Sequence, residues 1–354
     1  MTSIPSTEAD LDTPAIVVDL DRLEQNLARW QHYADDAGIA NRPHIKTHKC
    51  VEIARRQLEL GAAGITCQKL GEAEVMADAG ITDILIPFNL LGERKLDRLA
   101  HLMRRTELRV SADDERLLDG LSRAAAAAER DLDVLVECDT GFARAGVATP
   151  GEAASLATAV EATSGLRFAG FLTYPCPPGS IDFRETAAAE ARAAGLEVET
   201  ISAGGTPAMW QAADLGPAVN EYRVGTYAYF DRNTIDAGAA AIDDVALLVL
   251  ATVVSRPARD RAILDAGSKA LTSDLSESAG YGLVLEAPGS AIATLSEEHG
   301  HVKVAKGDEL ELGQRVHVVP NHVCPVSNLF DELWVRRGEK IVDRYAIAAR
   351  GRSA

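Results

Sequence analysis

The stretch RPHIKTHKCVEIARRQLELGAAGITCQK, residues 42–69, holds one full repeat of the pattern that decides the fold. A short run, RPHIKTH (42–48), precedes KCVEIARRQLEL, whose apolar residues recur at helical spacing; a second short run, GITCQK (64–69), follows. Six more such runs come downstream: DILIPFN (83–89), ELRVSA (107–112), DVLVECD (133–139), RFAGFLTY (167–174), EVETISAG (197–204) and EYRVGTYAYF (221–230). Helical text separates them, including ERKLDRLAHLMRR and the alanine-rich RAAAAAER. Alternation of this kind marks βα units around a parallel sheet. Eight units in about 190 residues predict an α/β fold with a closed (β/α)8 barrel, the same pattern leaving a doubly wound open sheet as the alternative.

Upstream, AIVVDL (15–20) reads as a strand leading into a helix on which Leu23, Leu27, Trp30 and Ala34 share one face and after which Gly38 ends the run. From about residue 240 the text changes to strand and turn, with DVALLVLATVVSRP, RVHVVPNHVCPV and a hairpin turning at Arg337-Gly338. A second, C-terminal β-rich domain is therefore expected, joined without a low-complexity linker.

Composition narrows the partner. The chain has 354 residues, 53 acidic against 36 basic, for a formal charge of −17, and carries no Lys/Arg-rich tract. Nucleic acid and anionic membrane surfaces both select for basic patches, so neither is expected as a partner and a small molecule is. Five cysteines at 50, 67, 138, 176 and 324 make no disulfide framework, and the first residues lack the basic and apolar regions of a signal peptide. The reading is a reduced, cytoplasmic protein. No apolar run approaches the roughly 18 residues that span a bilayer.

Chemistry on a barrel belongs at the C-terminal strand ends. Lys46 lies at the end of the first predicted strand, and the seventh ends in SAGGTPA (202–208). There, Gly204 and Gly205 let the backbone approach a ligand, and Pro207 suits the first turn of a helix whose free N–H groups face an anion. A lysine amine opposite a phosphate site describes pyridoxal phosphate held as a Schiff base. Arg144, in ECDTGFARAGV, stands where a guanidinium could meet the cofactor's phenolate oxygen, and Tyr174 closes the sixth strand. Singly, each has a plainer reading: a surface lysine, an ordinary glycine turn, an arginine paired with Glu137 or Asp139, a packing tyrosine. In PNHVCP, His322 and Cys324 are two apart, so on an extended segment both would face one side and could chelate one ion. A buried His and Cys on a strand is the plainer alternative.

The motifs TPAIVVDLDRLEQNL, RPHIKTHK, DTGFARAGV, SAGGTP, EYRVGTY and PNHVCP, in this order over nearly the whole chain, resemble the D-threonine aldolase and D-serine dehydratase family of alanine-racemase-like pyridoxal phosphate enzymes. The resemblance implies a barrel over residues 25–235 and a β-rich domain formed by 1–24 with 236–354, paired as a homodimer in which the partner's β-domain closes each site. It implies Lys46 for the Schiff base, Arg144 for the cofactor ring, and Gly204, Gly205, Thr206 and Tyr227 for the phosphate, with Tyr174 among the cofactor-binding candidates. It also implies a divalent metal at His322 and Cys324: zinc first, manganese or cobalt as alternatives. His48 and Lys49 would be solvated or indirect neighbours of the site. His299, and less so His301, fall in a segment near the metal, with a solvated hairpin as the plainer reading.

The implied substrate is a D-3-hydroxy-α-amino acid. Loss of its Cα proton and β-hydroxyl gives a keto acid and ammonia. Loss of the hydroxyl proton with Cα–Cβ cleavage gives glycine and an aldehyde. Cys324, where the aldolases of this family tend to resemble one another in placing a carboxylate, tilts the reading slightly to dehydration of the D-serine or D-threo-3-hydroxyaspartate type, with D-threonine aldolase chemistry as the alternative. A racemase would give the metal pair no role. A non-catalytic pyridoxal phosphate-binding barrel would leave the β-rich domain unexplained, and a barrel without cofactor is the bland limit.

Overall fold

The computed structural model describes residues 4–216 and 218–354. Strand β1 (Ala15–Asp19) runs directly into α1 (Leu20–Asp36), on which Leu23, Leu27, Trp30 and Ala34 are buried as their spacing predicts. The βα alternation follows: β2 (Ala40–Asn41), α2 (Val51–Glu59), β3 (Ile65–Thr66), α3 (Leu70–Asp78), β4 (Asp83–Ile86), α4 (Glu93–Met103), β5 (Glu107–Ala112), α5 (Leu118–Ala128), β6 (Leu132–Cys138), α6 (Pro150–Ala162), β7 (Leu166–Thr173), α7 (Ile181–Ala193), β8 (Thr200–Gly204) and β9 (Glu221–Arg223). The strands are parallel, in the order β2-β9-β8-β7-β6-β5-β4-β3. A parallel bridge between His44 and Thr66, with Thr66 N–H donating to the Pro43 carbonyl at 2.8 Å, brings the two ends of that row together. This is the (β/α)8 barrel.

Two predicted strands are shorter than their text. In RPHIKTH only the bridge at His44 extends β2, because Pro43 has no N–H to give to a neighbour. Ile45–Thr47 forms a 3-10 turn instead, so Lys46 sits just past the strand end. EYRVGTYAYF is a strand only over Glu221–Arg223, and Thr226–Ala228 is another 3-10 turn.

After α8 (Arg232–Asp236) come β10 (Leu247–Ala258), β11 (Arg261–Leu264), α9 (Ser268–Leu271), β12 (Leu283–Val284), β13 (Ala291–Leu295), β14 (Gly300–Lys303), β15 (Arg315–Val319), α10 (Val323–Leu329), β16 (Glu332–Arg337) and β17 (Lys340–Ala346). These strands form the β-rich sheet, ordered β13-β14-β11-β10-β1-β16-β17, with β15 pairing β10 and β12. The predicted hairpin is present: β16 and β17 pair antiparallel on either side of Gly338. β1 is inserted in register between β10 and β16, with Val17 opposite both Leu248 and Trp334. The packing defines two compact units: a barrel unit (30–46, 53–225 and 351–354) and a β-rich unit (the chain up to Arg29, with 47–52 and 226–350). Among the described residues no helix is long and apolar enough to cross a membrane.

Candidate active site

In the barrel unit the candidate residues gather at the C-terminal strand ends. Lys46 is half-buried in its 3-10 turn, and its backbone N–H lies 3.4 Å from His44 Nδ1. The other ring nitrogen of His44 meets Gln68 Oε1 at 3.0 Å, which turns the imidazole toward the loop after β3. Among the described residues no hydrogen bond or ion pair engages the Lys46 ammonium.

The loop after β8 is shaped by its glycines. A Cβ at Gly204 would lie 2.8 Å from the Arg223 carbonyl oxygen, and one at Gly205 would lie 3.0 Å from the Tyr174 ring. Gly205 also has φ +123, a conformation that side chains oppose. Thr206 opens a 3-10 segment (Thr206–Leu215) that kinks at Ala208, with its hydroxyl accepting the Gly225 N–H at 3.2 Å. The first N–H groups of such a helix have no acceptor within it. Close packing on Arg223 and Tyr174 thus requires glycine at both positions, and the loop's free backbone donors fit a phosphate.

Arg144 stands on the loop after β6, which Asp139 organises by accepting the N–H groups of Gly141, Phe142 and Ala143 on one carboxylate oxygen at 2.9, 3.0 and 3.1 Å. Those bonds hold the Asp139 pKa below its usual range. The Arg144 guanidinium lies over the rings of both Phe142 and Tyr174, at 5.4 and 5.2 Å, and 4.0 Å from Glu137. The pairing with Glu137 is thus present at long range, beside the two ring contacts.

Beneath these loops runs a charged network that sequence reasoning missed. Asp83, opening β4, accepts from buried Arg42 at 2.5 Å; Arg42 Nε donates to Glu221 at 2.6 Å; Ser202 donates to the other Glu221 oxygen at 2.6 Å. Arg223, closing β9, donates to Ser202 Oγ and, at 2.9 Å, to the Thr173 carbonyl. The chain of bonds crosses the barrel interior from the N-terminal to the C-terminal strand ends. Burial alone would raise the Glu221 pKa, but Arg42 and Ser202 outweigh it and the carboxyl is held low. Burial pushes Arg223 down and Glu137 up. The available signal was the period of two: Glu221 and Arg223 share a face in EYR and Tyr222 takes the other.

In the β-rich unit, His322 and Cys324 come together, although not on the extended segment that was expected. His322 is extended and caps α10, and Cys324 lies in that helix's first turn, where Pro325 is tolerated because its missing N–H would have had no acceptor. His322 Nδ1 meets Asp274 Oδ2 at 2.7 Å, and His322 also hydrogen-bonds Cys324. Burial lowers the imidazole pKa, but the bonds to Cys324 and Asp274 more than reverse this, to about 9. Thr47 Oγ1 lies 3.2 Å from the Cys324 sulfur, and buried Asp231 accepts the Val323 N–H at 3.1 Å. Among the described residues no group of three or more His, Cys, Asp and Glu side chains is arranged to hold a metal. The donor chemistry nevertheless fits an ion held by two protein ligands: imidazole and thiolate suit zinc, and a carboxylate behind the imidazole orients it.

Tyr227 is buried in the turn Thr226–Ala228 and belongs to the β-rich unit. His48 and Lys49 are buried rather than solvated; Lys49 donates to Asn328 Oδ1 at 2.8 Å. His299 and His301 lie in the β13–β14 hairpin, with His301 bonded to Ser296 at 3.1 Å.

A barrel with a lysine and a glycine-rich loop at its strand ends, followed by a β-rich unit, suits a pyridoxal phosphate enzyme of the racemase-like class. Residues 18–233 match the alanine racemase N-terminal domain profile, and 246–336 match one described as "Putative serine dehydratase domain". D-threonine aldolase of Arthrobacter sp is 38% identical, with 97% of this chain and 94% of that protein covered. The solved D-threonine aldolase from Filomicrobium marinum superposes with a TM-score of 0.87 at 36% identity, covering 99% of each chain. D-threo-3-hydroxyaspartate dehydratase from Delftia sp. HT23 superposes with a TM-score of 0.88 at 32% identity, covering 97% of this chain and 99% of that one. That dehydratase is also solved as alanine variants of a histidine and of a cysteine two positions later, the latter in a metal-free form. The chain belongs to the alanine-racemase-like, fold-type III pyridoxal phosphate enzymes, in the branch of D-threonine aldolases and D-serine dehydratases. It is a pyridoxal phosphate-dependent lyase of that branch.

Proposed function

We propose that the protein cleaves D-3-hydroxy-α-amino acids between Cα and Cβ, giving glycine and an aldehyde, in the manner its relatives' names describe for D-threonine. The carrying observation is the end-to-end match to D-threonine aldolase at 38% identity. The slight preference for dehydration that Cys324 suggests gives way to it. In this reading Lys46 carries the cofactor's aldehyde carbon, Gly204, Gly205 and Thr206 hold its phosphate, and Arg144 and Tyr174 flank its ring. Bound pyridoxal phosphate supplies an electron sink for the carbanion that cleavage leaves at Cα. His322 and Cys324 would hold a divalent ion, zinc by the softness of the thiolate, which supplies a Lewis acid for the β-hydroxyl. Asp274 keeps the His322 ring in the tautomer a ligand needs. Lys46, when not bound to the cofactor, would give a proton to Cα as glycine forms, while the proton lost by the β-hydroxyl leaves to solvent.

One observation favours a second reading, dehydration of D-serine or D-threo-3-hydroxyaspartate. The spacing of His322 and Cys324 equals that of the two residues replaced in the solved dehydratase variants. The deciding experiment incubates metal-loaded enzyme with D-threonine, D-serine and D-threo-3-hydroxyaspartate and measures glycine and aldehyde against keto acid and ammonia. Glycine is the expected product; keto acid and ammonia as the main products would replace cleavage by dehydration, and comparable turnover of L-threonine would reject both.

A further inference from the structure

The peptide after Gly205 is aimed by a residue outside the strand-end loops. Gly205 N–H donates to the Arg223 carbonyl at 3.1 Å, and the Gly205 carbonyl accepts the Tyr222 hydroxyl at 2.9 Å. In a trans peptide the C=O and the next N–H point opposite ways. A bond that fixes the Gly205 carbonyl therefore also fixes the Thr206 N–H, on the side away from Tyr222. That N–H opens the 3-10 helix and has no acceptor within it, and Pro207 next to it has none to offer. Glycine alone would not hold this plane, since it moves among more backbone conformations than any other residue.

Tyr222 is well placed to do so. It is fully buried, and its ring tilts against Trp30 on α1 with centroids 5.4 Å apart. Trp30 stacks on Tyr33 at 5.4 Å, and Trp210 meets both rings edge-on at 6.0 and 5.4 Å. The Tyr33 hydroxyl donates to the Trp210 carbonyl at 2.8 Å and accepts the Ala213 N–H at 3.2 Å. One aromatic cluster thus holds the segment 205–213 at its start and near its end. Burial raises the Tyr222 pKa, so the phenol stays a donor.

We propose that Tyr222 is a positioning residue for the phosphate of pyridoxal phosphate: its hydroxyl sets the Gly205–Thr206 peptide so that the Thr206 N–H is presented before the anion arrives. This rests on reading Gly204, Gly205 and Thr206 as the phosphate cradle. The cost of turning that peptide is met in folding rather than in binding.

The test titrates apoprotein with pyridoxal phosphate and with pyridoxal, which lacks the phosphate, following tryptophan fluorescence and the cofactor's long-wavelength absorbance. Tyr222→Phe should raise the dissociation constant for pyridoxal phosphate about fivefold, the loss of one neutral hydrogen bond, and leave that for pyridoxal unchanged. Equal weakening of both, or of neither, overturns the proposal. Trp30→Phe keeps the hydroxyl while loosening its packing, so it should lower the melting temperature and preserve the wild-type preference for the phosphorylated ligand; loss of that preference there assigns the effect to packing and also overturns it. Inorganic phosphate should compete with pyridoxal phosphate in the wild type. Failure of that competition removes the cradle and Tyr222's role together, whereas competition with an unaffected Tyr222→Phe removes Tyr222 alone.

Discussion

The two units treat buried charge in opposite ways. In the barrel unit Asp83, Arg42, Glu221, Ser202 and Arg223 form a continuous line of opposite charges and hydroxyls through the interior. In the β-rich unit the ionisable clusters are compact and nearer the surface: His317 between Glu8 and Glu286, and His322 between Asp274 and Cys324. Both histidines are pushed up to about 9, yet their surroundings differ. Two carboxylates at 2.7 Å occupy both ring nitrogens of His317, and such a clamp has no room for other chemistry. His322 has one carboxylate and one sulfur, a donor pair that an ion can share. A displaced pKa therefore marks a histidine as held, and only the identity of its partners says whether it is held for stability or for chemistry.

The largest effect should come from the barrel lysine that stands outside the network. Lys46→Ala is expected to abolish the cofactor's protein-bound absorbance and reduce turnover by roughly 10⁴-fold. Borohydride reduction with peptide mapping should label Lys46, and a label on Lys49 or Lys69 would reassign the lysine. Next is the network itself. Arg42→Met would take from buried Glu221 its closest cation, leaving Ser202, the buried Arg223 and, at 3.7 Å, Arg109. Removing one partner of a buried pair costs about 3–5 kcal/mol, which urea unfolding would measure. A loss below about 1 kcal/mol, the range of surface pairs, would erase the contrast between the units.

The proposed metal pair, His322 and Cys324, comes third. A chelator, or Cys324→Ala, should lower lyase turnover about 100-fold while leaving the cofactor absorbance in place. Activity indifferent to both treatments would place His322 beside His317 as a structural histidine and reopen racemisation.

Much of this was legible in the chain because periodicity is local. Eight strand texts and their helices follow from alternating patterns, and Lys46 and SAGGTPA do lie where strands end. The failures were of two physical kinds. Pro43 acts through the N–H it lacks, and RPHIKTH becomes a 3-10 turn after one bridge; Pro325 is compatible with a helix's first turn as well as with extended chain, so PNHVCP could be read as a strand although Cys324 lies on a helix. The barrel network and the clamp on His317 join residues far apart in sequence, Arg42 with Glu221 and Glu8 with His317, and no spacing rule reaches that far. Tyr222 was hidden for a third reason. A tyrosine on the outer face of a strand reads as packing, and its ring does pack, while its hydroxyl reaches Gly205.

The smallest effect is the one that most sharpens the comparison of the two histidines. Both nitrogens of His317 can bond carboxylates only as donors, so the clamp needs the imidazolium. Its bonds to Glu286 and Glu8 raise the His317 pKa from 6.5 to about 9, against the effect of burial. A raised folded-state pKa contributes stability that is complete below about pH 6.5 and is lost as the pH climbs through 9. Glu8 and Glu286 are held below their ordinary value of 4.5; their contribution is present above that value and is lost as acid carries the pH down through their folded-state values. Arg336, 2.9 Å from Glu8, supports that carboxylate. Unfolding free energy should therefore fall by roughly 2 kcal/mol between pH 6.5 and 9.5, a figure reduced for the solvent that reaches the ring. His317→Gln should flatten that slope while leaving turnover near wild type. A variant whose stability keeps the wild-type slope would show that His317 is neutral in the clamp, and the two histidines would then differ in charge as well as in partners.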